Sequence, residues 1–500
     1  MMRNLVALLF FLSAFYSLFA QNTLVTNLQV EYDSAPLGVE SRHPKLSWQL
    51  VSSQRNVLQT AYRILVADNP LMIIKNIGNV WDTEKIASSQ SIQSVYAGQD
   101  LQPAKTYYWK VMVWDNHNSI SPWSKTASWQ MGLLTQADWK DAQWIAYDVM
   151  PDSMRLEPKF AESKRKEIKD VLPLVRKEFL IRKPIKKAAV FIAGLGHFEL
   201  SVNGEKTGDH FLDAGWTNYD KQALYVTFDI TRQLRKGSNA IGVMLGNGFY
   251  FIPGERYRKL QTAYGYPKMI CRVLIEYTDG TADNIMSDPS WRSAPGGTTF
   301  SSIFGGEDFD ANLVPAGWNS RLFNDTAWKN VVTVEGPPLL NSQTAAPIKI
   351  FENFAPKKIT RLKTGVWVYD FGQNASAIPR LSVKGKKGSV VRLSPAELLQ
   401  KDGSITTEPI GTPVYFEYKL KGEGVETWQP SFMYYGFRYV QVEGAVPEGK
   451  ENTGGLPVVM AMKSLHTRNA APRVGAFSCS NELFNNTNRL IDWSVRSNMS

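Results

Sequence analysis

The sequence predicts a mainly β protein, a row of tandem β-sandwiches followed by one terminal helix. Three observations point there. Short apolar, alternating segments recur along most of the chain with turn residues between them. Aromatic side chains make up 12% of the residues, including 15 Trp and 20 Tyr, a payload suited to filling sandwich cores. Helical spacing enters only near the end, where Leu483, Phe484, Thr487, Leu490, Ile491 and Val495 repeat at three and four residues behind a possible cap at Ser480 or Asn481.

At 500 residues the chain exceeds a single core, so about three domains are expected. Residues 1–20 read as a signal peptide: Met1-Met2-Arg3-Asn4 is a basic start, Leu5 to Phe19 is apolar but for two serines, and Leu18-Phe19-Ala20 offers cleavage before Gln21. The apolar run is shorter than the ~20 residues that span a bilayer. The mature chain is therefore expected outside the cytoplasm, periplasmic or extracellular, without a membrane anchor. Only Cys271 and Cys479 occur, in different expected domains, which argues against a disulfide framework or a cysteine metal site.

The first domain, residues 23–134, places strands at Val25 to Val30, Lys45 to Val51, Ala61 to Ala67 and Tyr107 to Trp114, separated by turns such as Asp33-Ser34-Ala35-Pro36. Trp48 on an early strand, Tyr108-Trp109-Lys110-Val111 on a late one and Ser121-Pro122-Trp123-Ser124 resemble the core pattern of fibronectin type III domains. The second, residues 138–335, carries strands at Val175 to Ile181, Ala188 to Ala193, Phe198 to Val202, Ala223 to Asp229 and Ala240 to Leu245. Asn203-Gly204, Lys236-Gly237 and Asp279-Gly280 supply its turns, and the pattern is of jelly-roll type. The third, residues 345–465, repeats this with strands at Val366 to Phe371, Ala377 to Val383, Val390 to Pro395, Val414 to Leu420 and Arg438 to Val442. A charged insertion, residues 150–170, interrupts the second domain. Its Lys164-Arg165-Lys166 is balanced by Glu157, Glu162, Glu167 and Asp170, and a solvated segment is expected. Although formal net charge is +10, the basic residues are scattered, so no nucleic-acid partner is expected.

Several stretches in succession resemble one enzyme family, the bacterial α-L-rhamnosidases of glycoside hydrolase family seventy-eight. In the second domain they are Leu195-Gly196-His197-Phe198-Glu199-Leu200, Gly215-Trp216-Thr217, Leu245-Gly246-Asn247-Gly248-Phe249-Tyr250 and Gly306-Glu307-Asp308-Phe309-Asp310. In the third they are Asp370-Phe371-Gly372-Gln373-Asn374, Pro395-Ala396-Glu397, Trp428-Gln429-Pro430 and Tyr435-Gly436-Phe437-Arg438-Tyr439-Val440, as in a concanavalin-like sandwich. Residues 475–500 resemble the first helix of the family's (α/α)₆ catalytic barrel. The resemblance implies inverting hydrolysis of terminal α-L-rhamnose from plant glycosides or polysaccharides, with one carboxyl as general acid and another activating water. Both carboxylates are expected beyond Ser500, so no catalytic residue is assigned here. The 500 residues alone are expected to be an inactive N-terminal fragment, and no cofactor is required. A free-standing rhamnose-binding or scaffold protein of the same ancestry is the alternative.

The resemblance also suggests where sugar would bind. Some members hold terminal rhamnose through calcium, which makes Asn203 and Asn247 weak calcium candidates. Val202, where an acidic residue is expected before Asn203, departs from that pattern, and a plain type I′ hairpin turn at Asn203-Gly204 takes precedence. Asn203, Trp216, Asn247 and Tyr250 are the carbohydrate-binding candidates. Trp216 and Tyr250, with Tyr219 and Phe249, supply either a stacking surface or core packing. If the 306–310 stretch is a strand, Asp308 and Asp310 share one face and Glu307 takes the other, and a structural or calcium-linked role, or a solvated turn, takes precedence over catalysis. Arg438 is expected to pair with a carboxylate.

Overall fold

A computed structural model describes residues 23–160, 171–254, 256, 260–363, 365–406 and 413–499. The signal-peptide segment and residues 161–170 of the insertion lie outside these. The described residues divide into two compact units, the first ending at Asp138 and the second running from Trp139.

The first unit is a sandwich. Leu24–Val30, Lys45–Val51 and Ser94–Val95 form a three-stranded sheet, and Gln59–Ala67 pairs with Thr106–Asp115 in a five-stranded one. Alternate residues from both sheets meet in a core around Trp48, Trp109 and Trp129. The indole of Trp48 reaches Gln59 Oε1 at 2.9 Å, satisfying its buried N–H.

The second unit holds both remaining sandwiches. The strand His197–Val202 lies beside Gly237–Gly246, which pairs with Pro173–Ile181 in a six-stranded sheet. Opposite it, Ile185–Leu195 lies between Gln222–Asp229 and Lys268–Tyr277 in a seven-stranded sheet. The apolar faces enclose Val190, Ile192, Val243, Val273 and Trp291. Buried Cys271 sits in this core, and burial pushes its thiol up to about 12, so it behaves as packing. The last sandwich is a curled twelve-stranded sheet whose long strand Val366–Lys384 absorbs two expected strands, with the register slipping between Asp370 and Ala375.

Two features depart from the sequence reading. Leu156–Phe160, within the expected solvated insertion, is a strand paired with Leu260–Ala263, and Leu156 packs against the cluster of Met150, Phe251 and Ala263. Met150 and Leu156 turn inward, while the other residues from Pro151 to Pro158 stand exposed, as expected of a solvated segment. The strand Gly306–Asp310, read as belonging to the second domain, runs parallel to Tyr415–Lys419 in the twelve-stranded sheet. Thr298–Ser302 and His210–Phe211 join the same sheet, so the second domain contributes three strands to the third and the two form one body.

That strand places its acids as alternation requires. Asp308 forms a two-pronged pair with Arg256, whose guanidinium lies 4.1 Å from the Phe300 ring centre and 3.7 Å from that of Tyr415. Asp310 meets Lys419 at 2.9 Å. Glu307 points the other way and is fully buried. It accepts the backbone N–H of Ser431 at 3.0 Å and of Phe432 at 3.0 Å. Burial pushes its carboxyl up to about 8 against these two donors, and the Asp308 and Glu199 carboxylates add to the rise.

The terminal helix is Glu482–Asn498, capped by Asn481, whose side chain accepts from Leu483 N. It docks through Trp493, 6.0 Å from Phe354 and 5.5 Å from His466, and through Arg496, 3.2 Å from Glu352. Leu483, Phe484, Leu490 and Ile491 stand exposed on another face.

Two outcomes follow from this packing. Because the folded state raises the Glu307 pKa, its ionisation opposes folding. The stability of the wild type relative to Glu307→Gln is therefore fully present below about pH 4.5, falls by up to about 1.4 kcal/mol per pH unit, and levels off above about pH 8. Urea melts across this range measure the difference; a flat difference contradicts the assignment. Trp493→Ala, which deletes the helix's main ring contact, speeds amide exchange across residues 482–498 by roughly tenfold without loosening the sandwich cores. Unchanged exchange there would show that other contacts hold the helix.

Candidate carbohydrate-binding surface

The strand Gly237–Gly246 ends in a loop, Asn247 to Tyr250, that crosses the segment before His197. Two glycines permit the crossing. A Cβ on Gly246 would fall 2.2 Å from the Phe432 ring, and one on Gly196 would fall 2.2 Å from the carbonyl oxygens of Gly246 and Asn247. Phe432 is the residue whose N–H Glu307 holds, so the loop is seated against the third domain. Beside it His197 is buried and held neutral, its pKa lowered by burial to about 4.

Asn247 lies under this loop, fully buried. Its Nδ2 donates to Ser301 O at 2.8 Å, while Oδ1 accepts no hydrogen bond from the described residues. The aromatic candidates separate into two groups. Trp216 is 66% exposed, its ring centre 5.0 Å from that of Phe249, which stands 5.9 Å from Phe304. These three rings make an open apolar line. Tyr250 is instead buried, edge-on to Tyr219 at 5.2 Å and stacked on Tyr264 at 5.8 Å, and burial keeps its phenol protonated far above the usual range. Lys268 Nζ, 5.7 Å from the Tyr250 ring, donates to Glu335 O at 2.8 Å, and burial lowers its pKa to about 8. Trp216 thus presents an open ring, whereas Tyr250 belongs to a buried tyrosine cluster.

Asn203 lies elsewhere. It has φ +53° and Gly204 φ +89°, and together they form the two-residue turn between His197–Val202 and Glu205–Lys206. Its side chain accepts from Ala240 N and donates to Gln233 O and Asn239 Oδ1, all within 2.9 Å. Asn203 N–H bonds to Ala240 O, whereas Asn247 stands at the far end of that strand, roughly 20 Å away at ~3.3 Å per residue. The two asparagines do not converge, so one calcium ion cannot be shared between them. Among the described residues no group of three or more His, Cys, Asp or Glu is placed to hold a metal ion.

The third-domain motifs meet around the register slip in the strand Val366–Lys384. Asp370 binds Arg438 through both oxygens at 2.8 and 2.9 Å and accepts from Gly372 N; the Arg438 bond holds its carboxyl below the usual range. Glu397 accepts from Asn374 Nδ2 at 2.9 Å. Sequence reading overlooked the buried clamp of Glu307, because alternation gives the face of a strand but not what covers it. It also overlooked Trp318, which sits in a loop with no motif around it.

Three family profiles match the chain in succession: a Rha78A-like N-terminal immunoglobulin domain over residues 25–135, an alpha-L-rhamnosidase N-terminal domain over 183–352, and a bacterial alpha-L-rhamnosidase concanavalin-like domain over 360–460. An alpha-L-rhamnosidase of Formosa agariphila is 33% identical over 485 residues, covering 93% of this chain and 50% of that protein. Among solved structures, the alpha-L-rhamnosidase of Dictyoglumus thermophilum matches with TM-score 0.85 at 36% identity, over 96% of this chain and 53% of that one. The alpha-L-rhamnosidase of Streptomyces avermitilis, solved in complex with L-rhamnose, matches with TM-score 0.82 at 25% identity, over 95% and 60%. The chain spans about half the length of the curated relatives it matches. The chain thus carries, in succession, three domain types of the bacterial α-L-rhamnosidases.

Proposed function

We propose that this chain is the N-terminal, sugar-contacting region of an exported α-L-rhamnosidase, and that the whole enzyme releases terminal α-L-rhamnose by inverting hydrolysis. The observation that carries the reading is the run of rhamnosidase domains, in family order, across nearly the whole chain. The exposed apolar face of the helix Glu482–Asn498 supports it, since such a face suits a neighbouring helical layer. In this reading the catalytic carboxyls belong to that layer. The acids singled out in the sequence support this: Asp308, Asp310 and Asp370 are each engaged by a cation, and Glu307 is sealed from solvent. No helix among the described residues is long and apolar enough to cross a membrane.

Sugar contact is assigned to Trp216 and Phe249, with Asn247 and Tyr250 holding the loop beneath them. An apolar ring face exposed beside polar backbone is what the C–H face of a pyranose packs on.

Two measurements test this reading. The purified 500-residue chain leaves an aryl α-L-rhamnoside intact; turnover above buffer would place catalysis within it. In calorimetric titration with L-rhamnose, Trp216→Ala weakens binding by about 0.5–1.5 kcal/mol, a few-fold to tenfold. Repeating the titration with and without calcium separates an ion-bridged site from stacking alone, and an undiminished affinity in the variant removes Trp216 from the site.

A further inference from the structure

A cleft of about 380 Å³ opens between the second and third domains, away from the Trp216 ring. That volume falls within the ~300–1,000 Å³ of small-molecule sites. Its floor is the outer face of the six-stranded sheet at Glu199 and Ser201, one wall is Trp318 with Asn319, and the other is Trp428 with Gln429.

The walls are fixed. Trp318 and Asn319 lie so close to the sheet that a Cβ on Gly242 would meet the Trp318 ring at 2.9 Å and the Asn319 side chain at 2.6 Å. Asn319 Nδ2 donates to Ser201 Oγ at 3.1 Å. Trp428 is held by stacking on Tyr418 at 5.4 Å. Gln429 Oε1 accepts from Arg380 at 2.7 Å, which turns its amide nitrogen away from that bond, and no partner among the described residues takes it up. The charged groups lining the cleft, Glu199 and Lys206, neutralise one another at 2.7 Å.

We propose that this cleft is a second sugar subsite, taking a neutral pyranose unit of a rhamnose-containing glycan between Trp318 and Gln429. The half-buried Trp318 indole supplies an apolar surface, Trp428 backs the opposite wall from the core, and amide and hydroxyl groups supply donors and acceptors at fixed positions. The internal Glu199–Lys206 pair leaves no net charge to attract an anionic or cationic ligand. This goes beyond the Trp216 surface and uses different residues, so each can fail without the other.

The test uses the full chain carrying Trp216→Ala, titrated with a neutral α-L-rhamnosyl-glucose disaccharide. The disaccharide is expected to bind this background, and adding either Trp318→Ala or Gln429→Ala is expected to lower the affinity at least tenfold. Gln429→Ala, on a half-buried rim, should melt as the parent does, which separates lost contact from lost fold. Absence of binding by the Trp216→Ala chain, or equal binding after both cleft substitutions, would overturn the proposal.

Discussion

The second unit depends on the strand Gly306–Asp310, one of three second-domain strands that enter the third domain's sheet. Gly306–Asp310 arises at the end of the second sandwich yet pairs with Tyr415–Lys419 of the third, and Glu307 fixes the join by holding two backbone donors of the Ser431–Phe432 loop. A fully buried carboxyl without a cation is costly to ionise, and two N–H donors offset only part of that cost. The arrangement still satisfies donors that would otherwise be stranded in the junction. It also brings Phe432 onto Gly246, so the geometry of the Asn247 loop is inherited from the junction.

Both candidate sugar-contacting regions adjoin that join. The Trp216–Phe249–Phe304 line extends from the loop that Phe432 seats, and the interdomain cleft is walled by residues of both sandwiches. Packing that makes a rigid scaffold therefore also sets the positions of the exposed rings. This division suits a glycan-binding region, where loops carry recognition on sheets that do not move.

Much of the fold was legible because strand alternation is a local signal. Val440 and Val442 declare a buried face two residues apart, and the observed strands Ile185–Leu195 and Tyr435–Glu443 extend the expected ones by one to three residues at each end. The Asn203-Gly204 turn was legible for the same reason, since only residues tolerant of positive φ close so tight a hairpin. Arg438 with Asp370 was half legible: a carboxylate partner was expected, but 68 residues separate the pair, and chain spacing does not encode which acid arrives. The site was less legible. Trp216 and Tyr250 look alike in sequence, and only the surrounding tyrosines decide that one faces solvent and the other the core. Asn203 and Asn247 share a residue type and flanking glycines, yet stand at opposite ends of one strand. The exchange of Gly306–Asp310 between domains could not be read from a linear order of strands at all.

If the shared strands and one buried carboxyl make the two sandwiches a single body, their cores must lose structure together. Amide exchange followed through a urea titration tests this directly, by comparing the strand Ile185–Leu195 of the second domain with Val366–Lys384 of the third. Coincident midpoints for the two strands are predicted. A midpoint for one sandwich well below that of the other would contradict the account, because the shared strands would then be no more than a contact between independent domains.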